Sequence, residues 1–295
     1  MSRTQVPGIA TLRQICHGAK LAQDPRPVYV LTRRITIYLT WLLLHTGLMP
    51  NQVTALTVLL GVLGSVLLAL PGGGWALAGA LGFLAHHLMD KVDGDIARFR
   101  KVYSIVGVYL DELGHGLAFG GIFLGLGVHL AWGSEGIGRI AILGTAAIGA
   151  VAMVLGRQHK SIGFQLYAQH AMSRPYLVPQ SGDRRGAAQM GRAATQEARR
   201  AGNSRGGGAA MARDLALQLS DFVVMVLLIL IGAIVQIATG SETWLRWTLF
   251  AGAALHVSVL AALVVVNVTV NVESEVRRLD QLARSARDPG AGGGE

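Results

Sequence analysis

Long runs without charged residues dominate the chain. Six of them approach or exceed the roughly 20 residues needed to cross a bilayer, at 53–70, 75–98, 102–132, 140–156, 222–240 and 247–272. Two of these runs are not free of charge: the second has charges toward its end, and the third contains Asp111 and Glu112. A further run, 35–48, is too short to cross and lies between Arg34 and Pro50, which favours a helix in the membrane interface. We therefore predict an all-α integral membrane protein of six transmembrane helices preceded by an interfacial amphipathic helix.

Composition supports this organisation. The 295 residues are 52% hydrophobic and only 15% charged, with 39 glycines, and the mean hydropathy is +0.45. We predict a cytoplasmic N-terminal segment at 1–34, the interfacial helix at 35–50, a transmembrane catalytic domain at 51–272 and a cytoplasmic tail at 273–295. No apolar run precedes the first polar block, so we do not expect a cleaved signal peptide. The single cysteine, Cys16, excludes an internal disulfide framework.

The basic residues indicate an orientation. Of the 26 lysine and arginine residues, all except Arg139 and Arg246 fall in segments on one side of a six-span arrangement. Because such residues accumulate in cytoplasmic loops, we predict that both termini and the active site are cytoplasmic. The net charge of +9 then faces anionic lipid headgroups, and binding to nucleic acid is not expected.

One long segment differs from the rest of the chain. Residues 173–213 contain eight arginines and seven glycines but few large apolar side chains, a composition that buries too little surface to order itself. We predict a flexible cytoplasmic loop, attached loosely to anionic lipid or disordered. The alternative is a regulatory or partner-binding insert.

Acidic residues inside the second and third spans point to chemistry. Asp90 and Asp93 are three residues apart, and Asp111 and His115 are four apart, so each pair projects from one helix face. An acid facing lipid at mid-bilayer costs roughly 2.5–3.5 kcal/mol, and these groups must therefore face each other, water or metal.

Converging carboxylates are the ligands that Mg²⁺ or Mn²⁺ prefers, often with a substrate phosphate. Arg98, near the end of the same helix, is a candidate to hold such a phosphate. The alternative is plain ion pairing within the membrane, for example of Asp93 with Lys91 or Arg98.

The spacing of these residues also carries a family resemblance. From Asp90 to Asp111 the chain reads D-x2-D-G-x2-A-R-x8-G-x3-D, which resembles the signature of the CDP-alcohol phosphotransferases. The P-N-x2-T stretch at 50–54 and the span count are similar to the family as well. The family signature has a further aspartate where this chain has His115.

The resemblance implies transfer of a substituted phosphate from a CDP-linked alcohol to a hydroxyl acceptor with release of CMP, using two divalent ions. It also implies residue roles. The metal ligands would be Asp90, Asp93, Asp111 and His115, with His115 as the catalytic base, and the nucleotide pocket would be formed by Gly94, Ala97, Arg98 and Gly107.

Substrates are less constrained. We expect a CDP-diacylglycerol donor, with Arg157 and Lys160 meeting the phosphate of a polyol-phosphate acceptor, although positive-inside flanking explains that pair as well. The resemblance also suggests a homodimer. Two alternatives remain open: a degenerate member that binds CDP nucleotides without transfer, and a transporter whose buried acids move cations.

Overall fold

A computed structural model describes residues 6–23, 27–102, 104–172 and 218–269. These residues form eight helices and no strands. The helices are α1 (Ile9–Gln23), α2 (Pro27–Thr46), α3 (Pro50–Ala69), α4 (Gly73–Arg100), α5 (Ile105–Trp132), α6 (Gly136–Met172), α7 (Phe222–Thr239) and α8 (Thr243–Thr269). The all-α prediction is confirmed for this part of the chain, while the loop 173–213 and the tail 273–295 lie outside it.

Five helices within the described residues are long and apolar enough to cross a membrane: α3, α5, α7, and the apolar parts of α6 and α8. The protein is therefore an integral membrane protein. The second predicted span corresponds to α4, which has 28 residues but is not among the five. The count of six spans stays a prediction.

The predicted interfacial helix has different bounds in the structure. It belongs to α2, which begins at Pro27 and ends at Thr46, because Gly47 adopts a left-handed conformation (φ +78) that terminates helices. Pro50 then starts α3, a position where its missing N–H costs nothing. The amphipathic and interfacial character of this helix stays a prediction.

The side chains of α2 are distributed unlike those of a soluble surface helix. Its buried face includes Arg33, Thr36 and Thr40, whereas Tyr38 and Leu42 are exposed. Apolar Ile37 and Leu44 are buried as well, so the inner face is mixed, while the exposed apolar side chains suit an apolar exterior.

The chain divides into two compact units. The first comprises residues 1–151 and 222–253, and the second comprises 152–221 and 254–295. In the first unit α4 packs against α1, α2, α3, α5 and α7. The contact between α3 and α4 is close, since a methyl group built on Gly79 would overlap the backbone of Leu68. Small residues of this kind allow membrane helices to approach each other.

Candidate metal centre

The predicted site lies where α4 and α5 adjoin in sequence, within the first unit. Helix α4 ends at Arg100, Lys101 takes a left-handed conformation (φ 55), and α5 begins after Ser104. The Ser104 hydroxyl caps α5 by accepting from the Gly107 N–H at 2.9 Å, as N-cap residues do. This tight connection brings the acidic end of α4 to the acidic start of α5.

Three of the four predicted metal ligands converge. Asp90, Asp111 and His115 each offer a ligand atom, and all these atoms lie within 4.8 Å of one another. The Asp90 side chain is 8% exposed and that of Asp111 is 40% exposed. The cluster is therefore closed on the α4 side and open on the α5 side, as a site that receives a substrate must be.

The hydrogen bonds of His115 define what its ring can do. Its Nδ1 lies 2.8 Å from the Asp111 carbonyl oxygen, which only accepts, so Nδ1 carries a proton. The other nitrogen, Nε2, lies 3.1 Å from Asp90 Oδ1. In the neutral ring this nitrogen has a lone pair that suits a cation or a proton; in the imidazolium it donates to Asp90.

The observed ion pairs differ from those expected if the acids were simply paired within the membrane. Lys91 pairs with Asp90, and Arg98 pairs with Asp95, whereas the sequence suggested Asp93 as the partner of one of these cations. Asp93 instead accepts a hydrogen bond from the Thr54 hydroxyl, 2.9 Å from its Oδ2. Asp93 is thus one helical turn beyond the three-residue cluster and is held by α3.

The four residues expected in the nucleotide pocket occupy this same region. Gly94 faces the Arg98 guanidinium, since a Cβ on it would lie 3.3 Å from one terminal nitrogen. Gly107 lies against Asn51, whose Oδ1 would be 2.7 Å from such a Cβ. Ala97 is half-buried, and its carbonyl accepts from the Val102 N–H at 3.1 Å, closing the end of α4.

Aromatic rings pack behind His115. The His86 ring lies with its centroid 6.0 Å from that of His115 and 5.7 Å from that of Phe222, and Phe119 stacks on Phe222 at 4.7 Å. His86 is buried, and its Nδ1 donates to the Thr57 carbonyl at 2.8 Å. These rings limit the directions in which His115 can turn.

The two residues predicted to bind the acceptor phosphate belong to the second unit. Arg157 is half-buried on α6. Lys160 follows on the same helix, but its side chain lies outside the described residues. Their role stays a prediction.

Sequence reasoning missed a buried cluster around Asp95. This carboxylate is 0% exposed and receives hydrogen bonds from His17 on α1 and from Arg33 and Thr40 on α2. The Cys16 thiol also points at the Asp95 carbonyl, at 3.5 Å. Burial, followed by the nearby Asp95 charge, raises the pKa of this thiol to about 11. The partners are 55 to 79 residues away in sequence, so no local pattern could have shown them.

Comparison with known proteins tests the family resemblance of the motif. The sequence model of the CDP-alcohol phosphatidyltransferases matches residues 47–179, which include the whole motif, α3, α4, α5 and the described part of α6. No curated protein matched the chain. The match, together with the clustered motif residues, supports the assignment of residues 47–179 to the CDP-alcohol phosphatidyltransferase family.

Proposed function

We propose that this protein transfers a substituted phosphate from CDP-diacylglycerol to a hydroxyl acceptor and releases CMP, in phospholipid biosynthesis. The family supports the general reaction, phosphotransfer from a CDP-alcohol in lipid synthesis. The observation that carries the proposal here is the convergence of Asp90, Asp111 and His115 within 4.8 Å, at one end of α4 and α5. An apolar exterior suits a lipid-linked donor.

The residues fit a divalent cation. Two carboxylates and one imidazole suit Mg²⁺ or Mn²⁺, and the nitrogen ligand favours the second. When bound, such an ion would neutralise the diphosphate and polarise the phosphorus. Asp90, Asp111 and His115 would hold it, and Asp93, fixed by Thr54, would complete a second position on the neighbouring turn.

His115 is the candidate base for the acceptor hydroxyl. With its Nδ1 proton committed to the Asp111 carbonyl, Nε2 carries the only lone pair of the ring, so His115 would act as the base only while Asp90 and Asp111 hold the ion without it; Nε2 would then accept the hydroxyl proton. The attacking oxygen would then form its bond to the donor phosphorus as the bond from that phosphorus to CMP breaks. CMP leaves with the electron pair of that bond.

Other assignments complete the proposal. Gly94, Ala97, Arg98 and Gly107 would shape the nucleotide pocket, and Arg157 with Lys160 would bind an acceptor phosphate. The active site and both termini would face the cytoplasm, where soluble acceptors are found. A homodimer is proposed from the family resemblance alone.

The test is CMP release by the purified protein in lipid nanodiscs. CDP-diacylglycerol would be offered with a panel of hydroxyl acceptors, with Mg²⁺ or Mn²⁺, to wild type, Asp111→Asn and His115→Ala. The control is His45→Ala, because exposed His45 makes the same bond to the carbonyl four residues earlier, at 2.7 Å, away from the cluster. Loss of release in Asp111→Asn and His115→Ala, with release retained in His45→Ala, is expected.

Two outcomes would contradict the proposal. No CMP release with any acceptor, together with intact binding of CDP, would favour a degenerate site. Cation flux that is lost in Asp111→Asn and does not depend on a nucleotide would favour a transporter.

A further inference from the structure

The Asp95 cluster joins three helices around one carboxylate. His17 Nε2 lies 2.8 Å from Oδ2, and Arg33 lies 2.8 Å from Oδ1, while the Thr40 hydroxyl lies 3.2 Å from Oδ2. The Arg98 guanidinium donates to the same Oδ1 as Arg33. Both carboxylate oxygens are thus held by groups from α1, α2 and α4.

Arg98 differs from the other members of the cluster in its exposure. The side chains of His17, Arg33 and Asp95 are at most 3% exposed, whereas that of Arg98 is 22% exposed. Arg98 is therefore the one of these four that solvent or a ligand can reach. One terminal nitrogen is committed to the buried Asp95, and both terminal nitrogens lie beside Gly94, 3.3 and 3.5 Å from a Cβ built on it.

From this geometry we infer that Asp95 is a positioning residue that aims the Arg98 guanidinium at the donor's diphosphate. The inference rests on the proposed function. His17, Arg33 and Thr40 fix the carboxylate, and all three lie outside the family match at 47–179. The helices α1 and α2 thereby become part of the nucleotide site.

The physical reason is preorganisation. An arginine side chain loses considerable rotamer freedom when it is immobilised on a ligand, and a fixed partner removes much of that cost before binding. Asp95 is suited to this role because it cannot turn without breaking bonds to two other helices. Replacing it with asparagine keeps the size and removes the charge, which leaves Arg98 free to adopt other rotamers.

The experiment is a titration of CDP with Mn²⁺, followed calorimetrically, on full-length protein in nanodiscs. We expect Asp95→Asn to weaken CDP binding about tenfold or more, and Arg98→Ala to weaken it at least as much. The double variant should bind no more weakly than Arg98→Ala alone, because Asp95 acts through Arg98. A purely structural role would instead give losses that multiply.

Two results would overturn the inference while leaving the proposed function intact. One is wild-type affinity in Asp95→Asn, and the other is a further tenfold loss when this change is added to Arg98→Ala. Failure of the wild type to bind CDP would refute the proposed function itself.

A second pair of variants applies if Asp95→Asn does not fold. His17→Gln keeps a side-chain donor near Asp95 and should retain most of the CDP affinity, whereas His17→Leu removes the donor and should lower the affinity severalfold. Equal affinities for the two variants would overturn the inference.

Discussion

The bond between Thr54 and Asp93 gives the sharpest test of the site. Its donor is the Thr54 hydroxyl on α3 and its acceptor is Asp93 Oδ2 on α4, 2.9 Å apart. Thr54→Val removes the donor at nearly constant volume. A hydrogen bond to a charged group contributes about 1.5–3 kcal/mol, which corresponds to roughly 10- to 100-fold in an equilibrium constant. We expect Mn²⁺ affinity to fall by that factor, as it does when groups that orient metal ligands are lost.

A matched control lies one turn along the same helix. Thr57 is 3% exposed and Thr54 is 5% exposed, but among the described residues the Thr57 hydroxyl donates only to the Val53 carbonyl of its own helix, at 2.9 Å. Thr57→Val therefore removes a comparable hydroxyl without touching Asp93. Affinity is measured by the loss of free Mn²⁺ signal in electron paramagnetic resonance of protein in nanodiscs. Affinities within twofold of each other in the two variants would refute the role assigned to Asp93.

Three further predictions concern stability and reactivity. Gly79→Ala should lower the free energy of unfolding by about 1–3 kcal/mol through overpacking, seen as a lower thermal midpoint, whereas Gly74→Ala, which meets nothing within 4 Å, should not. Gly107→Ala should reduce CMP release in the same assay more than Gly116→Ala, which also meets open space; equal rates would contradict the close packing described. Cys16 should resist maleimide labelling at pH 8, because its pKa is about 11. Because the pKa of an unburied thiol is 9.0, deprotonation of Cys16 should weaken the docking of α1 as pH rises from about 9 to about 11. The rate of maleimide labelling should therefore increase over this pH range. Rapid labelling at pH 8 would show that α1 is not docked.

Apolar runs predicted where helices exist better than where they end. The run 53–70 became Pro50–Ala69 and the run 222–240 became Phe222–Thr239, because in both cases a turn follows the apolar residues at once. The run 140–156 became the much longer Gly136–Met172, since hydropathy marks the apolar part of a helix and polar residues can continue it.

Helix α1 was not predicted, and its signal was weak. Ile9, Leu12 and Cys16 mark a short apolar stripe at helical spacing, and the last two are buried. The neighbouring polar residue, His17, is equally buried. A hydropathy pattern predicts the opposite, because it places polar side chains at the surface. The partner of His17 is Asp95, 78 residues further along the chain, so the sequence around His17 did not indicate that it would be buried.

Part of the site could be predicted from local spacing, and part could not. The spacing of Asp90, Asp111 and His115 on two helices with a short connection predicted that these residues lie close together, and the structure brings all three together. Thr54 and Asp95 required knowledge of which helices pack side by side. Their bonds join residues 39 and 78 positions apart, beyond the reach of helical periodicity.

The Asp95 cluster also sets an order of events during synthesis. His17 meets a carboxylate that is added 78 residues later, so at the usual 5–20 residues per second it is made roughly 4–16 s before its partner; Arg33 on α2, 62 residues from Asp95, is made roughly 3–12 s before it. During this interval the Arg33 guanidinium has no buried anion to join and is best accommodated at the lipid headgroups. Docking of α1 and α2 is therefore expected to be a late step, completed only after α4 has been made, and the nucleotide site would mature with it.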